Sequence, residues 1–211
     1  MLVYFTIYMQ DIIISRLRDN NTGTADFRAN AQKMAHILAS QAIAYLKKKK
    51  IVVTTPLAKT IGYMPGQDVV LVPILRAGLA FLPVFLFYFE SAKVGFVGLK
   101  RDEKTAVAKE YYRNLPPIGK KDLVIILDPM LATGGSAVSA VKILLSAGVK
   151  QEQILSVFLV AAPEGYRKLR RQFPKIKIII GAKDKKLTAD KFIWPGLGDF
   201  GDRYFGTKRR H

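Results

Sequence analysis

Short apolar runs alternate with helically spaced stretches along most of this chain. Ile51–Thr54, Val69–Ile74, Lys93–Leu99, Leu123–Leu127, Ile154–Val160 and Ile176–Ile180 read as strands. Leu79–Phe89, Gly135–Ala147 and Gly165–Gln172 read as helices. From Thr24 to Leu46, the residues Phe27, Ala31, Met34, Ile37, Leu38 and Ile43 recur near the 3.6-residue period, with Thr24 placed to cap that helix. The Lys47–Lys50 run then suits a helix C-terminus, where cations meet the macrodipole. Strands that are apolar throughout are buried on both faces, which requires a parallel sheet with helices on each side. The expected fold is therefore α/β: one domain over residues 1–211, built on a doubly wound, mainly parallel sheet flanked by helices. A small hood comes from the N-terminal and C-terminal segments.

Two segments test that reading. The opening MLVYFTIYMQDIII is apolar but lacks a basic start and carries Asp11, which excludes a signal peptide. Val69–Phe89 is long enough to span a bilayer, yet it holds Pro73, Pro83 and Arg76, and a central arginine costs about 3 kcal/mol on insertion. A strand, a turn and a helix account for it better, and no membrane is expected.

Composition narrows the chemistry. The chain has 211 residues, no cysteine and only His36 and His211 as imidazoles. Disulfides, thiolate nucleophiles and zinc sites of the usual kind are thereby excluded, and a reducing cytoplasm is the expected setting. Catalysis, if present, must rest on positioning and electrostatics. Lys and Arg total 34 against 16 Asp and Glu, a net charge of +18 that attracts polyanions without choosing among them.

The sharpest feature is Leu123-Val-Ile-Ile-Leu-Asp-Pro-Met-Leu-Ala-Thr-Gly-Gly-Ser-Ala137. An apolar strand delivers Asp128 to its carboxyl end, and the following loop opens a helix. Gly134 and Gly135 let backbone amides approach an anion, Thr133 and Ser136 add hydroxyls, and the helix N-terminus adds partial positive charge. The pattern predicts a monophosphate cradle with Asp128 facing ribose hydroxyls; it lacks the lysine of a Walker P-loop. Arg76, after a buried strand and before Gly78, is placed to hold a pyrophosphate with its planar fork. Lys100–Lys104 and the polar stretch up to Tyr111-Tyr112 predict a lid or hairpin. Ile193-Trp-Pro-Gly-Leu-Gly-Asp-Phe-Gly-Asp exposes backbone donors and acceptors that can read a planar base. Trp194 is expected to pack, and Asp202 and Arg203 to form a structural ion pair.

Asp128-Pro-Met-Leu-Ala-Thr-Gly-Gly-Ser136 resembles the phosphoribosyl diphosphate (PRPP) loop of uracil phosphoribosyltransferases. Leu17-Arg-Asp-Asn-Asn-Thr-Gly-Thr, Thr55-Pro-Leu-Ala-Lys-Thr, Val72-Pro-Ile-Leu-Arg-Ala-Gly-Leu, Gly98-Leu-Lys-Arg-Asp-Glu, Ala161-Ala-Pro-Glu-Gly and Trp194-Pro-Gly-Leu-Gly-Asp-Phe-Gly-Asp-Arg resemble the same family in the same order. The likeness runs from about residue 15 to residue 207. It implies transfer of the phosphoribosyl group from PRPP to N1 of uracil, giving UMP and pyrophosphate in pyrimidine salvage. Arg76, Arg101, Asp128 and Asp199 are the implied catalytic residues. PRPP contacts fall on Arg76, Arg101, Asp128, Pro129, Met130, Leu131, Ala132, Thr133, Gly134, Gly135, Ser136 and Asp199; uracil contacts fall on Ile193, Gly198, Asp199 and Phe200. Mg²⁺ is expected on the pyrophosphate of PRPP, with no metal site built by the protein itself.

The resemblance also implies a homo-oligomer, a dimer or tetramer, for which the apolar Leu79–Phe89 helix and the N-terminal segment are candidate interfaces. Activation by GTP stays open. Phe200 stands where bacterial members commonly have alanine, and is expected to tighten or cover the base pocket. The alternative is a non-catalytic regulator that senses PRPP or nucleotides and binds RNA; the intact base loop weighs against nucleic acid as a partner. Another base is a further alternative, although purine-specific members usually show two adjacent acids where this chain has Asp128-Pro129.

Overall fold

The computed structural model describes residues 2–101 and 108–207, and the side chains within 8–100 and 109–207. Helices α1 (Leu2–Arg18) and α2 (Thr24–Ile43) open the chain, followed by a ribbon of β1 (Lys48–Thr54) and β2 (Lys59–Pro65). Strand β3 (Val69–Leu75) leads through a 3₁₀ turn (Ala77–Ala80) into α3 (Leu82–Tyr88). Next come β4 (Lys93–Val94), β5 (Phe96–Arg101), β6 (Ala108–Asn114), β7 (Leu123–Leu127), β8 (Met130–Leu131) and α4 (Gly135–Ser146). Strand β9 (Ile154–Ala161), α5 (Pro163–Gln172), β10 (Lys177–Lys183), the hairpin β11 (Lys186–Leu187) and β12 (Ile193–Trp194), and α6 (Phe200–Phe205) complete it.

The main sheet runs β10-β9-β7-β3-β5-β6, parallel except for the antiparallel edge strand β6. Strands β7 and β9 are buried at every residue, and β3 through Ile74. Successive side chains take opposite faces. Leu71, Ile125, Leu127 and Val157 meet Phe27, Met34 and Leu38 of α2 together with Phe81 and Phe85. Val72, Val124, Ile126 and Phe158 meet Val138, Val141 and Leu144 of α4 and Leu169 of α5. This is the doubly wound, mainly parallel α/β sheet that the apolar runs predict. From β3 the chain moves to β5 on one side and returns to β7 on the other. The crevice outside the strand ends at such a reversal is where open α/β sheets bind ligands, and Arg76 and Asp128 emerge there.

Several local expectations need correction. Helix α2 begins at Thr24 with Gly23 as its cap residue, so Thr24 is not the cap. Lys48–Lys50 open β1 and do not close a helix. Ile51–Thr54 belongs to the exposed antiparallel ribbon, because β1 pairs only with β2 and has no helix layer over it. Lys93–Leu99 divides at Gly95. The break falls opposite Val72–Pro73, between the pairs Leu71–Val94 and Ile74–Val97, where the proline has no N–H to give. Leu79–Phe89 divides into the 3₁₀ turn and α3, with Pro83 in the first turn of the helix.

The apolar face of α3 is used within the chain: Ala80, Phe81, Val84, Phe85 and Phe89 lie in the core, while Phe87 is exposed. The opening segment forms α1, which buries Ile13, Ile14 and Leu17. No described helix is long and apolar enough to cross a membrane.

Truncating a side chain at the centre of this sandwich is costly. Leu71→Ala is expected to lower the free energy of unfolding by about 2–5 kcal/mol, measured by urea denaturation. Val52→Ala on the ribbon, where the side chain is exposed, is expected to change it by less than about 0.5 kcal/mol.

Candidate active site

A cavity of about 670 Å³ opens at the carboxyl ends of β3 and β7. Its floor is the loop between β7 and α4. Strand β8 pairs with β9 through Met130–Val160 and Leu131–Ala161, so the loop leaves the sheet in a fixed register. Gly134 then turns it into α4 with φ 76° and ψ 3°, a left-handed conformation that favours glycine. The first turn of α4 leaves backbone N–H groups without helical partners, and these face the cavity with the helix's partial positive charge.

The same turn is supported from behind. A Cβ on Gly165, in the first turn of α5, would lie 2.3 Å from the Ala132 carbonyl oxygen, and one on Gly134 would lie 2.9 Å from the Gly165 oxygen. Loop and helix meet backbone to backbone. This supporting role of Gly165 was not read from the sequence, although Ala161-Ala-Pro-Glu-Gly was recognised as a motif; its signal was a glycine within a helix start.

Asp128 and Met130–Ser136 all line the cavity. Pro129 does not: it is buried, and its carbonyl accepts the N–H groups of Leu159 and Val160, each at 3.0 Å. Asp128 is 7% exposed and accepts a long, 3.3 Å hydrogen bond from the Met130 N–H. Burial pushes its carboxyl up to about 7, against a smaller opposing effect from that bond.

Arg76 stands at the mouth of the cavity with its side chain 60% exposed. Its guanidinium is 3.9 Å from Asp202 and 5.7 Å from the centre of the Phe205 ring, so it is loosely held and available to an anion. The Arg101 side chain and residues 102–107, on which the lid expectation rests, lie outside the described residues, as does His211.

The opposite wall comes from the C-terminal segment. Ile193, Gly198, Asp199 and Phe200 line it as expected. Asp199 caps α6, accepting the Asp202 N–H at 2.9 Å. Phe200 departs from expectation: it is 1% exposed, and its ring packs edge-on to Phe27 and Phe81 and stacks on Tyr204. The larger residue therefore fills the core behind the wall and does not cover the pocket. Trp194 is half exposed, between Lys185 and Lys186, and is not part of the cavity.

The expected Asp202–Arg203 ion pair is replaced by other partners. Arg203 donates to the carbonyls of Leu17, Leu197, Asp19 and Thr22, and Asp202 faces Arg76. Lys100, Tyr111, Asp190, Lys191 and Phe192 also line the cavity and were missed. Lys100 and Tyr111 lie on the β5–β6 hairpin, which the polar stretch predicts without assigning these two residues to the site, and Asp190–Phe192 lie in the turn between β11 and β12. The one backbone clue is Lys191 at φ 67°, which only the folded hairpin reveals.

The sheet order and the loop-first cavity define a phosphoribosyltransferase fold. A hypoxanthine phosphoribosyltransferase from Staphylococcus aureus shares it at a TM-score of 0.50 and 17% identity, over 76% of each chain. A protein of solved structure from Aquifex aeolicus, AQ2163, superposes at a TM-score of 0.87 with 34% identity, covering 95% of each chain.

Within that class, this chain belongs to the uracil phosphoribosyltransferase family, whose model matches residues 9–207. Proteins named uracil phosphoribosyltransferase are 42% identical in Mycoplasma mycoides and 44% identical in Bacillus cereus, over 92% of this chain and 93% of each relative.

The raised Asp128 carboxyl makes a prediction about stability. Its folded value near 7 exceeds the ordinary value of 3.8, so the proton it holds favours the folded state. That contribution is complete below pH 4 and is lost as pH rises through 7. Relative to wild type, Asp128→Asn is expected to gain stability between pH 4 and 8, by up to about 4 kcal/mol. Urea unfolding of both proteins across that range measures the difference.

Proposed function

We propose that this chain transfers the 5-phosphoribosyl group of PRPP to N1 of uracil, releasing pyrophosphate and forming UMP. The observation that carries the reading is the meeting, in one cavity, of the 128–136 loop with Ile193, Gly198 and Asp199. One wall suits a ribose 5-phosphate and the other a small planar base.

The loop amides and the hydroxyls of Thr133 and Ser136 hold the 5-phosphate. Asp128 accepts hydrogen bonds from the ribose hydroxyls, and those donors favour its ionised form. Arg76 receives the pyrophosphate at the mouth, and Arg101 is assigned to the same group by family resemblance. As the C1–oxygen bond breaks, the sugar gains oxocarbenium character and pyrophosphate takes the bonding electrons. Uracil N1 forms the new bond to C1, and its proton passes to the released pyrophosphate or to water. No side chain needs to act as a nucleophile; orientation and charge stabilisation lower the barrier.

Asp128, Asp190 and Asp199 line the cavity but do not converge, with any third acidic or imidazole group, into a metal cage among the described residues. That donor set fits a Mg²⁺ carried by pyrophosphate oxygens and water, with Asp128 the nearest carboxylate to the phosphate loop. When bound, the ion neutralises leaving-group charge.

Homo-oligomerisation belongs to the same reading. The exposed apolar side chains of the β1–β2 ribbon, among them Val52, Leu57, Ile61 and Tyr63, support it.

The test is UMP formation from PRPP and Mg²⁺ with uracil, cytosine, adenine or hypoxanthine. Turnover is expected with uracil alone. Asp128→Asn is expected to lower kcat/KM by roughly 10- to 100-fold, the worth of hydrogen bonds to a charged acceptor, while remaining folded. PRPP binding without turnover of any base would instead favour a non-catalytic, nucleotide-sensing role.

A further inference from the structure

We propose that Arg18, Asp184 and Arg203 are positioning residues for the base, holding the loop that reads uracil from its far side. The proposal rests on the functional reading above and adds the device that sets base affinity. Asp184 lies one residue beyond β10, and its own N–H donates to the Ala161 carbonyl at the end of β9, so the sheet fixes its position. The carboxylate is almost fully buried, its side chain 2% exposed. One oxygen accepts the Arg18 guanidinium at 2.5 Å, and the other accepts the Gly196 N–H at 2.9 Å. Gly196 sits at φ 64° in a turn so tight that a Cβ would reach the Ile193 carbonyl, which leaves its amide aimed at the carboxylate.

The next residue is held by the second arginine. Arg203 donates to the Leu197 carbonyl at 2.8 Å and also to Leu17, Asp19 and Thr22 at the α1–α2 corner. Its guanidinium lies 4.4 Å from the centre of the Phe27 ring. Consecutive residues of the base loop, Gly196 through its N–H and Leu197 through its carbonyl, are thus tied, through two arginines, to the same corner of the N-terminal helices. None of the three side chains lines the cavity.

A base is discriminated by donors and acceptors fixed to within a fraction of an ångström. Gly198 and Asp199, which line the cavity, follow directly on the tied residues. Loosening the tie should therefore weaken uracil more than PRPP, whose phosphate loop is anchored elsewhere.

Asp184→Asn keeps the shape but turns an N–H toward one of the two donors. Arg18→Met removes the charge, and Arg18→Lys retains it. Asp184→Asn and Arg18→Met are expected to raise the KM for uracil about tenfold, the scale of one buried charge-assisted hydrogen bond, with a smaller rise in the KM for PRPP, which Asp199 also faces, and partial recovery in Arg18→Lys. Hydrogen exchange across 193–199 should quicken in the same order. A purely structural role would lower the melting temperature and leave the uracil KM alone.

If wild type turns over uracil and the folded variants keep its KM, the proposal is overturned. Failure of both variants to fold would assign the network to folding and overturn it equally. If wild type turns over no base while exchange still quickens, the functional reading falls and the tie stands.

Discussion

Everything at this site depends on burying parallel strands between two helical layers. Because β3, β7 and β9 run the same way, their carboxyl ends share one edge of the sheet. Because Leu71, Ile125 and Leu127 pack on one layer and Val72, Val124 and Ile126 on the other, the strands have no freedom to slip by one residue. Arg76 and Asp128 are therefore neighbours in space through β-sheet register, with no contact between them needed. The reversal of strand order between β3 and β7 leaves their loops diverging, and the divergence is the cavity.

The cost of that placement falls on Asp128. A carboxyl at the end of a buried strand loses its hydration, and one long bond from Met130 does not replace it. Burial thus pushes this carboxyl up to about 7, with the Met130 bond opposing it only weakly. On the function proposed above, ribose hydroxyls would supply the missing donors, so that sugar binding and ionisation of Asp128 would favour each other. Such a local cost is common where binding groups stay unsatisfied until a ligand arrives.

The sequence made the central architecture and the phosphate loop legible because their signals are local. Leu123–Leu127 is apolar at every position, and the Asp128–Ser136 loop declares its turn with paired glycines. Other features depend on partners far along the chain. Ile51–Thr54 has the composition of a buried strand, and only its pairing with β2 alone, away from the helices, leaves it exposed. Phe200 sits in a base-loop motif, yet Phe27 and Phe81, brought in by α2 and the turn after β3, draw its ring inward. Arg203 beside Asp202 suggested a pair, whereas the α1–α2 corner offers Arg203 several carbonyls at once.

The charge of +18 and the neutrality of the base wall divide the work of recognition. A strongly basic surface raises the local concentration of any polyanion and speeds its encounter, without distinguishing one phosphate ester from another. Arg76, Lys100 and Lys191 continue that field into the cavity. Such a field cannot choose among uncharged bases. On the proposed function, selection would come from fixed peptide groups and shape, for which Ile193, Gly198 and Asp199 line the cavity on a loop bonded to Asp184 and Arg203. Affinity for the phosphorylated substrate is spread over many charges and tolerates the loss of one. Choice of base, if it rests on a few backbone atoms as proposed, would be the part of the function most exposed to a small displacement.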